Sequence, residues 1–436
     1  MKQKNGEFMK FKWKWLIFLG LTILLTINIF KNPLGIANTE WFNNFETDSD
    51  ALIYGKTLVT RTNLFSPNSF FLSFSRLDAV TSEVNSIIYG SQMGLHGVLF
   101  TIVSMILFWV DLTALMSVYA FLSSLFLSII LTMIIFWVYK EFGLFASAIT
   151  FVTTFANPWL IVVGNSPYWA IWANFLPFII LLYFLKKHEE TGIYDTKKIN
   201  ILIFLTVFFK AGSGYEFISV VLVMTVLPMI YYAYKNKWVF KDFSKKFLTI
   251  SSMALLGFIV AVIVHLTLLT LLYDLDYSFY VLGSTIAKRT GMGDTSQITH
   301  EALVNSLNVP LKNVLEEYAI TGIEERPIFK LLGKNIYMKH FIYLLGFSTV
   351  ISLIDRSISR TIEENRRKIV GLNLIALISL LGPLSWLVFA KAHCEIHIHI
   401  NYIIWSMPSM ILIFSAAGFI FYAFIRDIIM RFSKKN

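Results

Sequence analysis

Residues 115–137 read LMSVYAFLSSLFLSIILTMIIFW, a run that contains no charged side chain. An α-helix needs about 20 predominantly apolar residues to cross about 30 Å of hydrocarbon, so this stretch predicts a membrane span. The chain contains nine further apolar runs, at 15–30, 142–163, 168–185, 199–214, 217–234, 248–272, 340–355, 369–390 and 401–425. The sequence therefore predicts an all-α polytopic membrane protein with about ten transmembrane helices in one domain, residues 1–436.

The composition excludes the common soluble classes of protein. Of 436 residues, 56% are hydrophobic and 15% are charged, and the mean hydropathy is +0.66. Soluble domains carry roughly 25% charged residues, and so few charges cannot cover the surface of a soluble chain of this length. These values exclude a soluble enzyme, a disordered chain and a disulfide scaffold. Cys394 is the single cysteine, so no intrachain disulfide can form.

The basic residues predict which segments face the cytoplasm. The amino terminus has five lysines before the first apolar run and resembles a signal peptide, but the run is long and suggests a retained anchor. The amino terminus, Lys140 and four connecting segments hold 24 of the 37 Lys and Arg residues; these segments are 186–198, 235–246, 356–368 and 426–435. The positive-inside rule places them, and both termini, in the cytoplasm of a cell with the chain in its plasma membrane. The net charge of +10 is thus explained by lysines and arginines that face the cytoplasmic membrane surface and its lipids, and no nucleic-acid partner is expected.

An additional apolar stretch, 97–110, would reverse this sidedness if it spanned the bilayer. We interpret it as an interfacial or re-entrant helix, because counting it would place three strongly basic segments outside. Two long segments then lie outside, 31–93 and 273–339. Helix-like patterns occur within them at 50–59 and 300–320.

The first candidate site is the acidic segment Glu46-Thr-Asp48-Ser-Asp50. In an extended segment, carboxylates at positions i, i+2 and i+4 point to one side. Like charges at that spacing raise the pKa of at least one carboxyl group, which suits a general base. The alternative is a solvated turn in which Asp50 caps the following helix.

The densest candidate site is the segment from Lys391 to Asn401, which contains three of the eight histidines. Polar groups at the edge of an apolar run are costly and usually face a cavity. His393 and His397 share a helix face, and with Lys391 they suggest either a phosphate site or a zinc site. Interfacial histidines that contact lipid headgroups are the alternative.

Two further segments contain polar residues next to glycines. Between Tyr89 and Gly97, Gln92 and His96 are candidates for hydrogen bonds to a sugar. In the segment from Lys210 to Glu216, these two charged residues could pair across a break in the helix, or the segment could bind a phosphate. In both cases the structural alternative is a simple connection between helices.

Two other groups of residues complete the candidates on the outside face. Lys288 and Arg289 lie in the second long outside segment and are the cations best placed for a lipid phosphate. Aromatic residues follow Asn165, and this pattern is typical of an aromatic belt at the membrane surface; they are Tyr168, Trp169 and Trp172.

The order of these motifs resembles the GT-C superfamily of membrane glycosyltransferases, which includes protein O-mannosyltransferases and lipid A aminoarabinose transferases. The stretch from Asp48 to Tyr54 resembles the acidic motif of that superfamily. The other matching stretches resemble motifs of an uncharacterised bacterial branch; they are Gln92-Met-Gly-Leu, Gly214-Tyr-Glu and Lys391…His393…His397…Asn401. One departure is Asn165, where the superfamily often has a second acidic residue, and it leaves a divalent metal cofactor an open question.

The resemblance implies a GT-C-like bundle that transfers sugar on the outer face of the membrane from a polyprenyl-phosphate donor to a glycan, lipid or protein. In this scheme Asp48 or Asp50, beside Glu46, removes the proton of the acceptor hydroxyl. The residues implied in donor binding are Gln92, His96, Lys210, Glu216, Lys288, Arg289, Lys391, His393, His397 and Asn401. A single displacement implies inversion at the anomeric carbon, and the products suit cell-envelope polysaccharide synthesis.

Two other function classes remain compatible with the residues. One is a transporter or flippase for a lipid-linked saccharide, which would share the spans and a phosphate site. The other is a metal-dependent hydrolase or phosphotransferase built on His393, His397, His399 and Asp48. A carboxylate that couples ion movement within the membrane would favour the transporter, and Glu216 is the candidate.

Overall fold

The structure, a computed structural model, is predominantly helical and describes most of the chain. The described residues are 2–45, 47–61, 63–77, 84–292, 295–296, 298, 300–321, 327, 329–331, 334–358 and 363–433. Glu46, one of the three predicted acidic site residues, lies outside them.

The first part of the chain contains four helices and one antiparallel hairpin. The helices are α1 (Lys2–Lys31), α2 (Thr39–Asn44), α3 (Thr47–Thr60) and α4 (Leu95–Ile106), with a 3₁₀ turn at Pro67–Phe70. The hairpin pairs β1 (Leu72–Leu77) with β2 (Val84–Tyr89), and Leu72 lies opposite Tyr89.

The middle of the chain forms the long helices of the bundle. They are α5 (Leu112–Phe142), α6 (Leu144–Phe155), α7 (Pro158–Asn165), α8 (Trp172–Thr191), α9 (Thr196–Ser213), α10 (Ile218–Lys235) and α11 (Phe240–Leu272). Asp111 caps α5 by accepting a hydrogen bond of 2.9 Å from the amide of Ala114. In the bundle α5 packs against α1, and α9 packs against α11.

The last part of the chain alternates short and long helices. They are α12 (Leu275–Thr290), α13 (Glu301–Asn308), α14 (Leu311–Glu316), α15 (Met338–Ile358), α16 (Glu363–Ser379), α17 (Leu381–Phe389), α18 (Lys391–Ile396), α19 (Ile398–Asn401) and α20 (Ser409–Ser433). A π turn at Glu317–Thr321, a 3₁₀ turn at Tyr402–Ser406 and a hairpin of β3 (Phe329–Leu331) and β4 (Lys334–Ile336) complete it.

The structure confirms an all-α fold with helices suited to a membrane. Within the described residues, five helical segments are long and apolar enough to span a bilayer: Trp13–Lys31, Leu112–Phe142, Ile218–Lys235, Phe240–Leu272 and Arg366–Phe389. Two bent pairs raise the number to seven, Leu144–Phe155 with Pro158–Asn165 at 59° and Ile398–Ser406 with Ser409–Ala423 at 41°. Ten spans stay a prediction, because helices such as α9 carry charge: its 18 residues include three lysines, one of which, Lys210, lies within the predicted run.

Two sequence predictions about local structure can be compared with the helices. The apolar stretch 97–110 forms α4, whose 12 residues would extend about 18 Å and so cannot cross about 30 Å of hydrocarbon. The acidic segment is not extended, because α3 already begins at Thr47. Asp48 and Asp50 therefore lie in the first helical turn, where a carboxylate interacts favourably with the helix dipole.

Four charged side chains join the ends of α5, α8 and α10, and we call them the lysine–glutamate network: Glu141, Lys186, Glu189 and Lys235. The carboxylate of Glu141, 1% exposed, accepts from Lys186 Nζ at 2.7 Å and from Lys235 Nζ at 2.6 Å. Glu189 contacts the same two ammonium groups at 2.9 and 2.6 Å. The basic segments that follow α5, α8 and α10 were predicted to be cytoplasmic. These contacts bring the three segments together at one end of the bundle.

The two bent helix pairs contact each other at their breaks. Asn157, in the first break, accepts hydrogen bonds from the amides of Trp159 and Leu160 at 3.0 and 3.2 Å. Its side-chain amide donates at 2.9 Å to Oγ of Ser406, the last residue before the second break. These bonds satisfy backbone groups that the bends would otherwise leave without partners.

Candidate functional site

A cavity of about 240 Å³ lies at the end of the bundle opposite the lysine–glutamate network. Seven segments of the chain line it, through Ser49, Tyr89, Ser91, Tyr168, Trp169, Glu216, Thr285, Lys288, Arg289, Leu303, His393, Ile396, His397 and Ile400. Roughly eight water molecules would occupy this volume in liquid water, at about 30 Å³ each. It therefore suits a small polar group rather than a whole lipid.

The position of the cavity relative to the network follows from α5. Ser124 Oγ donates at 3.4 Å to Asn165, and the neighbouring Ser166 donates at 2.7 Å to Asp50, beside the cavity. Lys140, at the network end, follows Ser124 by 16 residues of the same helix. At 1.5 Å per residue the two ends are about 24 Å apart, which approaches the thickness of bilayer hydrocarbon.

The charged centre of the cavity is the pair formed by Glu216 and Arg289. The loop between α9 and α10 carries Glu216, and the last turn of α12 carries Arg289, whose guanidinium donates to Glu216 Oε1. Their side chains are 7% and 14% exposed, respectively. Lys288 also lines the cavity and is exposed, so the wall carries two cations against one carboxylate. This excess of positive charge favours an anionic ligand.

The histidine segment forms another part of the cavity wall. The ring centroids of His393, in α18, and His397, at its C-cap, lie 4.6 Å apart, as residues four positions apart on a helical turn can. The side-chain amide of Asn401 donates to the backbone carbonyls of His393 and His397 at 3.3 and 3.0 Å, and its oxygen accepts from Trp386. Asn401 is completely buried, so it positions the two histidines without touching the cavity.

The sequence predicted a cationic phosphate site that includes His393, but His393 carries no charge at pH 7. Burial lowers the pKa of His393 well below its usual value, and His397 and Arg289 lower it further. His393 is therefore neutral at pH 7 and can offer hydrogen bonds but no positive charge. The cationic part of the site is supplied by Arg289 and Lys288.

The acidic segment reaches the cavity through Ser49. Asp50 Oδ1 accepts hydrogen bonds from Ser166 Oγ at 2.7 Å and from the amide of Tyr168 at 3.1 Å. The carboxylate thus positions the loop that carries Tyr168 into the cavity. Asp48 is exposed, one residue from Ser49 on the same helical turn.

Gln92 lies beside the charged pair, close to Glu216. A Cβ atom added to Gly214 would lie 2.5 Å from Glu216 Oε2 and 2.6 Å from Gln92 Oε1. Both oxygens therefore lie close to the backbone of Gly214, and only glycine leaves room for them. Gln92 is 1% exposed, and its Oε1 has no hydrogen-bond partner in the described residues.

His96 lies behind the cavity wall. Its ring packs edge-on against Tyr168 with centroids 6.0 Å apart, and 1% of the residue is exposed. Burial lowers the pKa of His96 to about 3, and the ammonium groups of Lys210 and Lys56 contribute to this shift. The ring is therefore neutral at pH 7, and neither nitrogen has a partner in the described part of the chain.

Two predicted phosphate-binding lysines do not line the cavity. Lys210 Nζ donates at 3.0 Å to the carbonyl of Gly214, so the suggested pair with Glu216 is replaced by the pair with Arg289. Lys391 Nζ donates at 3.0 Å to the carbonyl of Leu307 and joins α18 to α13. The sequence could not show these partners, because both lysines bind backbone atoms.

An apolar crevice of about 310 Å³ adjoins the cavity and shares Thr285 and Arg289 with it. The other lining residues come from the loop before α10, from α10–α12 and from the α17 region: Tyr215, Ile218, Ser219, Phe258, Val262, Leu282, Ile286, Thr290, Trp386, Phe389 and Ala390. Arg289 thus stands at the boundary between a polar cavity and an apolar one. This arrangement suits a ligand with a charged head and a hydrocarbon tail.

Several lining residues were missed or misread at the level of sequence. Tyr168, Trp169 and Trp172 are 9%, 9% and 6% exposed, so the aromatic-belt interpretation is wrong and two of them line the cavity. The turn Asn-Ser-Pro at 165–167 was the available signal, because it interrupts the helix next to them. Tyr89 and Thr285 carried no such signal.

The three-histidine segment is not arranged as a metal site. Within the described residues, no group of three or more His, Cys, Asp or Glu side chains is placed to hold a metal ion. Comparison of the chain with protein-family models, with curated proteins and with solved structures gave no match.

Proposed function

We propose that the protein is a membrane glycosyltransferase that takes its sugar from a polyprenyl-phosphate donor. The observation that carries the proposal is the contact between the cationic cavity and the apolar crevice at Arg289. A polyprenyl-phosphate sugar has the same sequence of parts: a polar sugar, a phosphate and a hydrocarbon chain. The resemblance of the motifs to the GT-C superfamily supports the same assignment.

The phosphate of the donor would bind at Arg289, the residue shared by both cavities. A guanidinium can donate two parallel hydrogen bonds to a phosphate, and Lys288 adds a second charge. As the anomeric carbon–oxygen bond breaks, negative charge grows on the phosphate oxygen. Arg289 is already held by Glu216 and can stabilise this charge without reorganising.

The base in this reaction is a carboxylate of the acidic segment, Asp48 or Asp50. It removes the proton of an acceptor hydroxyl while that oxygen forms a bond to the anomeric carbon. The bonding electrons of the broken bond leave with the polyprenyl phosphate. One displacement of this kind inverts the anomeric configuration. Ser49, which lies between Asp48 and Asp50 in the first turn of α3, lines the cavity, whereas the two carboxylates are not among its lining residues.

The apolar crevice would hold the first isoprene units of the donor between α10, α11 and α12. Fixing both the phosphate and the chain orients the anomeric carbon toward the acceptor, which reduces the entropy cost of the reaction. We further propose ten spans, with the basic segments cytoplasmic and the cavity outside. The separation of about 24 Å along α5 between the two ends is consistent with this orientation.

Binding of the unglycosylated polyprenyl phosphate tests the phosphate site directly. We expect the purified protein in detergent to bind polyprenyl phosphate more tightly than the matching polyprenol. Arg289→Gln should remove this difference, whereas Lys197→Gln, at an exposed lysine of the network end, should preserve it. Equal binding of the alcohol and the phosphate would contradict the proposal.

Transfer of labelled sugar from a panel of polyprenyl-phosphate hexoses in liposomes tests the reaction. Asp50→Asn keeps an acceptor oxygen for Ser166 and Tyr168 but loses the basic oxygen. If Asp50 is the base, turnover should fall about 10²–10⁴-fold while donor affinity stays nearly unchanged. Asp48→Asn is the parallel variant. If neither changes transfer, the carboxylates only cap α3. If the lipid crosses the bilayer without transfer, the chain is a flippase.

A further inference from the structure

A second groove opens between α1, α5 and α8 at the network end of the bundle. Its volume is about 520 Å³, and it is separate from the cavity and the apolar crevice, with which it shares no residue. Its walls include Trp15, Phe18, Phe136 and Tyr183. We call it the basic groove, because lysines lie along one edge.

The walls of the basic groove are apolar and remain open. Trp15 is 58% exposed and Tyr183 is 54% exposed. The ring of Phe18 contacts both Trp15, with centroids 5.9 Å apart, and Phe136, with centroids 5.3 Å apart. Since α1 and α5 are long enough to span a bilayer, hydrocarbon chains are the natural neighbours of this surface.

The edge of the groove carries more positive charge than negative. Lys140, Lys186, Lys187 and Glu190 line it. Lys186 is neutralised by the lysine–glutamate network, and Glu190 lies 3.7 Å from Lys140 at half-exposed positions. Lys187 is exposed and has no ion pair within the described part of the chain. Among the residues that line the groove, positive charge therefore exceeds negative charge by one once Lys186 is counted with the network.

We propose that the basic groove binds a phospholipid with a net negative headgroup. One acyl chain would lie along Phe18 and Phe136, and the phosphate would lie between Lys140 and Lys187. A lysine near the headgroup plane can extend its ammonium to a phosphate while its methylene groups cover the apolar wall. Lysines near an anionic membrane surface attract the negatively charged headgroups. This site does not depend on the proposed glycosyl transfer.

The matched lipids for the test are dioleoyl phosphatidylglycerol and dioleoyl phosphatidylcholine, which differ in headgroup charge and share their chains. We expect native mass spectrometry of the delipidated protein in detergent to show tighter binding of phosphatidylglycerol. Lys187→Gln should lower its affinity about fivefold, which corresponds to about 1 kcal/mol. Lys197→Gln, an exposed lysine outside the groove, is the control and should leave the affinity unchanged.

A second variant tests the apolar part of the groove without changing charge. Met133 lines it and is half-buried, so Met133→Trp should fill space and weaken binding of both lipids. Equal affinities for the two lipids, or an unchanged affinity in both Lys187→Gln and Met133→Trp, would overturn the proposal. Arg289→Gln should not alter phosphatidylglycerol binding, and a loss there would assign the lipid to the cavity instead.

Discussion

The two ends of the bundle hold buried charges in contrasting ways. In the lysine–glutamate network two lysines face two carboxylates, and each carboxylate contacts both ammonium groups. At the cavity, Glu216 pairs with Arg289, while Lys288 adds a second cation. The network is balanced in charge, so its ion pairs hold helices together. The cavity is open and has an excess of positive charge, so its charges remain available to a ligand.

The largest effect that would separate the two ends is on stability. Glu141→Gln should lower the free energy of unfolding by about 3–5 kcal/mol, because two lysines near a neutral amide lose their shared buried carboxylate. Glu216→Gln should cost only about 1.5 kcal/mol, because Arg289 still faces the cavity. Denaturant titration in detergent measures both. Equal losses would show that the cavity pair is as structural as the network.

A smaller effect is expected from the close packing at Gly214. Gly214→Ala should cost about 1–3 kcal/mol, because its methyl group would overlap Glu216 and Gln92. The displaced Glu216 should also weaken polyprenyl-phosphate binding through Arg289. Gly283→Ala, in α12, is the matched control because no atom lies within 4 Å of the added Cβ. It should be neutral or stabilising by up to about 1 kcal/mol. Equal polyprenyl-phosphate binding by both variants would show that Gly214 does not contribute to the binding site.

The smallest effect concerns the pH dependence of the cavity end. The pKa of His96 is about 3 in the folded protein, below the value of about 6.5 expected when unfolded. The unfolded chain therefore takes up a proton that the folded chain does not, so His96 costs stability as the pH falls below about 6.5. Between pH 7.5 and 5.5 this loss amounts to about 1.4 kcal/mol.

His96→Gln should remove that part of the pH dependence, measured as the change in unfolding free energy between the two pH values. His300→Gln, at an exposed position before α13, serves as the control. An unchanged pH dependence in His96→Gln would mean that the ring has access to protons in the folded protein.

Local features of the sequence predicted the parts of the site that lie within one segment. The spacing of His393 and His397 predicted that their rings lie close together. The ring centroids are 4.6 Å apart, with His393 in α18 and His397 at the cap between α18 and α19. The helix predicted at 50–59 lies within α3. The predicted helix at 300–320 is interrupted, because Pro310 separates α13 from α14 and cannot continue a helix.

Contacts between distant segments could not be predicted from the sequence. Arg289 and Glu216 are 73 positions apart, and Asp50 and Ser166 are 116 apart. No periodic pattern links such pairs, because their approach depends on the packing of whole helices. The prediction of an extended acidic segment was wrong for a local reason. Thr47 already adopts helical geometry, so the favourable helix dipole outweighs the repulsion between Asp48 and Asp50.

The hydrogen bond between Asn157 and Ser406 has a mechanical consequence for the cavity. Asn157 lies at the bend of one broken helix, which leads to the loop that carries Tyr168. Ser406 lies at the bend of the other, which follows Ile400, so the hydrogen bond links two parts of the cavity wall. Moving one wall alone would break a bond worth about 1 kcal/mol, so independent motion is disfavoured about fivefold. We therefore expect the Tyr168 loop and the segment that contains Ile400 to move together when a ligand enters the cavity.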